Sequence, residues 1–126
     1  MKILIVAGAR PNFIKIAPII RELSKPENKI FFNYKLVHTG QHYDYSLSES
    51  FFKALNIPDP DYYLNVGSCS HAVQTAKIMV EFEKVCIEEK PEMVLVFGDV
   101  NSTIACALTA KKMNILVSHI ESGLRS

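Results

Sequence analysis

Lys2-Ile3-Leu4-Ile5-Val6-Ala7 runs straight into Gly8-Ala9-Arg10-Pro11 at the head of the sequence. An unbroken β-branched and aliphatic run of this length reads as a strand buried on both faces. Such strands belong to parallel sheets covered by helices on either side. Gly8-Ala9-Arg10 is a turn, and Pro11 suits the first position of a helix, where its missing N–H costs nothing. The apolar run is far too short for a signal peptide or a membrane helix.

The rest of the chain repeats this alternation. The first helix is expected from Pro11 to about Ser24, with Phe13, Ile16, Ile20 and Leu23 as its core stripe and Pro18 kinking it. Pro26-Glu27-Asn28 ends it. Tyr34–Thr39 reads as the second strand, and Ser46–Leu55 as a helix that turns Leu47, Phe51, Ala54 and Leu55 inward. Beyond Pro58-Asp59-Pro60-Asp61, a third strand is expected at Tyr62–Val66. Ser68 or Ser70 caps a long helix to Glu89, with Ile78, Phe82 and Val85 inward. Met93–Phe97 is the fourth strand, Asn101 or Ser102 starts a helix through Lys112, and Leu116–Ile120 is the fifth. Strands separated by helices imply βαβ units, and right-handed crossovers make the sheet doubly wound. The fold class is α/β, a Rossmann-like parallel sheet in strand order 3-2-1-4-5, with residues 1–126 as one domain.

Fourteen basic residues against thirteen acidic ones give no reason to expect nucleic acid or an anionic membrane as partner. The cysteines are Cys69, Cys86 and Cys106. An odd number without CxxC spacing points to reduced thiols in the cytoplasm and against a zinc site. His42, His71 and His119 do not share metal-ligand spacing. No metal and no cofactor are expected.

In an open parallel sheet, ligands bind beyond the carboxyl ends of the strands, where the strand order reverses. Here that point lies between strands one and four. The chain delivers Gly8-Ala9-Arg10-Pro11-Asn12 with Lys15, then Thr39-Gly40-Gln41-His42, then Gly98-Asp99-Val100-Asn101-Ser102-Thr103, then His119 and Glu121. Arg10 can hold a phosphate bidentately at a helix N-terminus, with Lys15 adding charge, or both can be solvated surface cations. The first loop is neither GxGxxG nor a Walker loop. Asp99 and Glu121 end strands that should be neighbours. Two close carboxylates can divide into acid and base. Equally, Asp99 can cap the next helix and Glu121 can pair with Arg125. Tyr43 and Tyr45 suit stacking on a base or sugar, and suit an ordinary half-buried loop as well.

At these residues the chain resembles the non-hydrolysing UDP-N-acetylglucosamine 2-epimerase family. Four segments carry the resemblance, in order and over essentially the whole chain: Gly8-Ala9-Arg10-Pro11-Asn12-Phe13-Ile14-Lys15, Thr39-Gly40-Gln41-His42, Gly98-Asp99-Val100-Asn101-Ser102-Thr103, and His119-Ile120-Glu121-Ser122-Gly123-Leu124-Arg125-Ser126. The resemblance implies the first domain of a GT-B-type two-domain fold, truncated at Ser126, with the second domain absent. It implies an isomerase that interconverts UDP-N-acetylglucosamine and UDP-N-acetylmannosamine by eliminating UDP and adding it back. Carried over by position, Asp99 and Glu121 are catalytic, while Arg10, Lys15, Gln41 and His42 bind the UDP-sugar substrate. Gln41 also matches a residue that helps bind a second, regulatory UDP-N-acetylglucosamine in some bacterial members. The arginine those members place near Ser70 is missing here. A homodimer is expected, because the cut leaves apolar surface exposed. The fragment alone is expected to be inactive. The alternatives are a GT-B glycosyltransferase, a hydrolysing epimerase, and a non-catalytic nucleotide-sugar-binding domain.

Overall fold

Side chains of a strand point alternately to opposite faces, and in β1 (Lys2–Ala7) both faces are apolar. Leu4 and Val6 fill one core, and Ile3, Ile5 and Ala7 fill the other. The computed structural model describes residues 1–8, 12–40, 49–50, 52–67, 69–97 and 101–120. Within them run α1 (Asn12–Leu23), a single turn α2 (Pro26–Lys29), β2 (Asn33–His38), β3 (Tyr62–Tyr63), α3 (His71–Glu89), β4 (Met93–Phe97), α4 (Asn101–Lys112) and β5 (Leu116–Ile120). The five strands form one sheet in the order β3-β2-β1-β4-β5, as expected from the sequence. Every pairing is parallel.

The longer helices cover both sides of this sheet. On one side α3 and α4 bring Ile78, Phe82, Val85, Cys86, Ala105, Cys106 and Ala110 onto Leu4, Val6, Val94 and Val96. On the other, Ile16, Ala17 and Ile20 of α1, together with Phe52 and Ile57, meet Ile3, Ile5, Leu95 and Phe97. Ser70 is the cap of α3, its Oγ accepting the N–H of Val73 at 3.3 Å. The helix ends on Lys90, which is left-handed at φ 49° and donates its N–H to the Cys86 carbonyl.

Three expectations shift. Residues 49–50 and 52–54 are helical, but the buried anchor is Phe52, and Ala54 is exposed. Leu47 and Phe51 lie outside the described residues. Asn56 at φ 58° ends this turn, and Ile57 N–H bonds back to the Phe52 carbonyl at 2.8 Å. The third strand stops at Tyr63, because Asn65 at φ 59° turns the chain off the sheet edge. Pro26 does end α1, yet it also opens α2 from its first turn.

At the amino edge of the sheet, the Met1 ammonium donates to the Phe31 carbonyl, and Asn33 N–H donates to the Met1 carbonyl at 2.8 Å. Nearby, the buried Glu89 carboxylate meets Lys2 Nζ at 2.6 Å and accepts the Tyr62 hydroxyl. The Lys2 ammonium, followed by the Tyr62 hydroxyl, holds the Glu89 carboxyl below its ordinary 4.5. The same hydroxyl contact, with burial behind it, pushes the Tyr62 phenol above its ordinary 10.0. The folded state therefore prefers ionised Glu89 and neutral Tyr62. The contribution from Glu89 is present at neutral pH and is lost as pH falls through the acid range below 4.5. The contribution from Tyr62 holds up to pH 10 and is lost as pH rises further. Thermal melts across pH should show both limbs. Tyr62→Phe should reduce the alkaline limb, to which the buried Cys86 and Cys106 thiols also contribute, and keep an acid one. An alkaline limb unchanged in Tyr62→Phe would show that this hydroxyl does not set it.

Candidate functional site

The strand order reverses between β1 and β4, and the roots of the four expected segments meet at that edge. β1 ends at Ala7 and passes to Gly8. Thr39 N–H donates to the Ala7 carbonyl at 3.0 Å, which carries the pairing of β1 and β2 one residue beyond the strands. Thr103, buried in the first turn of α4, donates its Oγ1–H to the Phe97 carbonyl at 2.6 Å and so ties that helix to the last residue of β4. Gly8 sits between these two roots. A Cβ placed on it would run into Ser102 Oγ, and would lie 3.2 Å from Thr39 Oγ1 and 3.3 Å from Ser102 Cβ. A side chain at position 8 would have to displace the Ser102 hydroxyl and press on Thr39.

Of the expected site residues, Lys15 is described. It lies half-buried in α1. Arg10, Gln41, His42, Asp99 and Glu121 lie outside the described residues, as do Tyr43, Tyr45 and Arg125. Their neighbours in the chain are in place. Arg10 follows Gly8 by two residues, Gln41 follows Gly40, Asp99 stands between Phe97 and Asn101, and Glu121 follows Ile120. His71 lies at the start of α3, where its Nδ1 meets Asn101 Nδ2 at the start of α4. His119 is exposed on the edge strand β5. Among the described residues no group of three or more His, Cys, Asp or Glu is placed to hold a metal ion.

Two features are not visible in the sequence pattern. Ser102 reads there only as part of a motif, yet its hydroxyl is the atom nearest the open side of Gly8. His38 reads as one residue of an apolar strand, and it is 3% exposed at the carboxyl end of β2. A histidine directly before Thr-Gly is the available signal.

The chemistry available at this edge favours an anion. The amino termini of α1 and α4 both open here, each with N–H groups that lack helical acceptors. Lys15 adds positive charge one turn along α1.

The chain has clear counterparts among known proteins. A family model described as UDP-N-acetylglucosamine 2-epimerase matches residues 24–126. A UDP-N-acetylglucosamine 2-epimerase homolog of Methanococcus maripaludis is 48% identical across 100% of this chain, which covers 34% of that protein. A UDP-2,3-diacetamido-2,3-dideoxy-D-glucuronate 2-epimerase of Pseudomonas aeruginosa is 45% identical over 100% of this chain and 35% of its own length. The crystal structure of Methanocaldococcus jannaschii UDP-GlcNAc 2-epimerase in complex with UDP-GlcNAc and UDP superposes with a TM-score of 0.86 at 47% identity, over 100% of this chain and 34% of that one. The chain thus spans about a third of the length of the curated relatives it matches.

The crowding at Gly8 is open to test by substitution. Gly8→Ala should destabilise the fold by about 1–3 kcal/mol, the usual cost of overpacking. Adding Ser102→Ala should recover part of that, since the serine Oγ is the first atom met. Urea titrations of the two variants and the parent measure both effects. A Gly8→Ala variant as stable as the parent would show that the three roots are not tightly packed.

Proposed function

Because the chain belongs to the UDP-N-acetylglucosamine 2-epimerase family, we propose that it forms one wall of a nucleotide-sugar site in an enzyme that interconverts UDP-N-acetylglucosamine and UDP-N-acetylmannosamine. Residues 1–126 are then the first domain of a two-domain GT-B-type protein. The observation that carries this reading is the meeting of three segment roots, those of Gly8, Thr39 and Ser102, at the reversal of strand order.

In the proposed reaction a base removes the proton at C2 of the sugar. The C2–H electron pair becomes the C1–C2 double bond, and the C1–O bond breaks. UDP leaves with the C1–O bonding pair, and a 2-acetamidoglucal remains. UDP then adds back at C1 while a proton returns to the other face of C2. Arg10 and Lys15 stabilise the charge that grows on the departing diphosphate. Asp99 and Glu121 move the protons. Gln41 and His42 contact the substrate. A second reading keeps this chemistry and changes the sugar. It is favoured by the 45% identity to the P. aeruginosa enzyme, whose substrate is a UDP-linked diacetamido uronate.

The cytoplasm suits the free thiols Cys69, Cys86 and Cys106. Among the described residues no helix is long and apolar enough to cross a membrane. A homodimer is proposed through the outer face of α3 and α4. Val73, Val80 and Ile87 repeat every seven residues on α3, and Ile104 and Leu108 flank them on α4, all 42% to 59% exposed. A two-fold axis at Val80 would set Val73 of one copy against Ile87 of the other.

In the full-length protein, Asp99→Asn and Glu121→Gln should each lower kcat by about 10²–10⁴-fold with little change in KM. Losses confined to KM would make them substrate-positioning ligands instead. The 126-residue chain alone should turn nothing over, because the reaction needs groups on both faces of the sugar and a closed cleft. Incubation with UDP-N-acetylglucosamine in deuterated water, followed by proton NMR, checks this. Deuterium at C2 produced by the chain alone would sink the one-wall reading. For the dimer, Val80→Glu should convert the protein to a monomer in sedimentation velocity. A parent that already sediments as a monomer would remove this face as the interface.

A further inference from the structure

The segment that leads to Gln41 and His42 is held at its base by a buried imidazole. His38 is 3% exposed at the end of β2. Its Nδ1 accepts the Gly40 N–H at 3.1 Å, so the chain folds back onto the side chain two residues before it. The His38 carbonyl accepts Leu64 N–H at 2.9 Å, and the Gly40 carbonyl accepts Asn65 N–H at 3.1 Å. The ring lies against Tyr63, with centroids 5.8 Å apart and planes at 53°. Backbone pairing therefore runs to Thr39 on the β1 side and to the Gly40 carbonyl on the β3 side, and the His38 ring supplies the acceptor for the Gly40 N–H. An Nδ1 that accepts a hydrogen bond carries no proton, which fixes the neutral tautomer of the ring.

We propose that His38 is a positioning residue: through its Nδ1 it fixes Gly40, the residue directly before Gln41 and His42, to which the epimerase reading gives contact with the nucleotide-sugar. This rests on the epimerase reading for the ligand, but the clamp itself does not. No contact between His38 and substrate is involved. Leucine at this position would fill the space and leave the Gly40 N–H without its acceptor. Asparagine places an oxygen close to where Nδ1 stands. Glutamine carries the same amide one methylene further out and misses Gly40.

The test compares His38→Asn with His38→Gln in the 126-residue chain, since both introduce the same polar group into the same buried place. Two quantities are read by NMR on labelled protein. One is the amide exchange rate of Gly40. The other is the affinity for UDP-N-acetylglucosamine, followed at the Gly8 and Lys15 amides. The asparagine variant should stay within about threefold of the parent in both. The glutamine variant should exchange Gly40 about tenfold faster and bind about five- to tenfold more weakly, the scale of one net hydrogen bond. Equal behaviour of the two variants overturns the proposal, whether both match the parent or both lose equally. Loss of the dispersed spectrum in both would make His38 a core residue and also overturn it. A parent that responds to no concentration of UDP-N-acetylglucosamine counts against the epimerase reading instead, and the Gly40 exchange rates then decide the clamp alone.

Discussion

β1 has no free side. Its backbone is paired with β2 from Lys2–Asn33 through Ala7–His38, and with β4 from Ile3–Met93 through Ile5–Leu95. Its two faces fill two separate cores. A parallel strand enclosed in this way cannot slip by one residue, because the slip would exchange the two sets of buried side chains. The direction of β1 therefore fixes where Gly8 emerges. Gly8 in turn fixes how near α4 and the end of β2 can come. The candidate site is a consequence of that chain of constraints: its segments are attached to three neighbouring strands whose register leaves no slack.

The parts of the fold that are legible in the sequence are those set by long apolar patterns. Met93–Phe97 can be read because its apolar run is unbroken and bounded by Pro91 and Gly98 in the sequence. The helical segment around residue 52 is harder. In so short a stretch neighbouring positions fit an inward place equally well until tertiary packing chooses, and it buries Phe52 and leaves Ala54 exposed. β3 is shorter than its sequence pattern suggests because Leu64 and Val66 are buried like strand residues, although Asn65 has already turned the backbone away. At the candidate site, the family motifs name the segments expected to matter. They do not show contacts between segments. The close approach of Ser102 to Gly8 and the bond from Gly40 to His38 depend on how distant pieces of chain pack, or on a rotamer, and neither leaves a periodic trace.

The two edges of the sheet do different physical work. At the amino edge, Glu89 is satisfied by Lys2, Tyr62 and a more distant Lys35. Charge there is neutralised within the protein, and the cluster ties α3 to β1, β2 and β3. At the carboxyl edge the polar groups among the described residues are mostly hydroxyls and backbone amides, contributed by Thr39, Ser102 and Thr103. They orient chain segments and carry no net charge of their own. Among the described residues, the positive charge at this edge comes from helix N-termini and Lys15.

The amino-terminal ammonium has a practical bearing on any study of the protein. It donates to the Phe31 carbonyl at the foot of β2, and Phe31 itself is exposed. An affinity tag fused ahead of Met1, or a dye coupled to that amine, would exchange a charged group with three protons for a neutral amide with one. It would also place its first atoms beside the junction of α2 and β2. Labels are better attached through an engineered cysteine on the outward surface of α1, where Pro18 and Arg21 already face water.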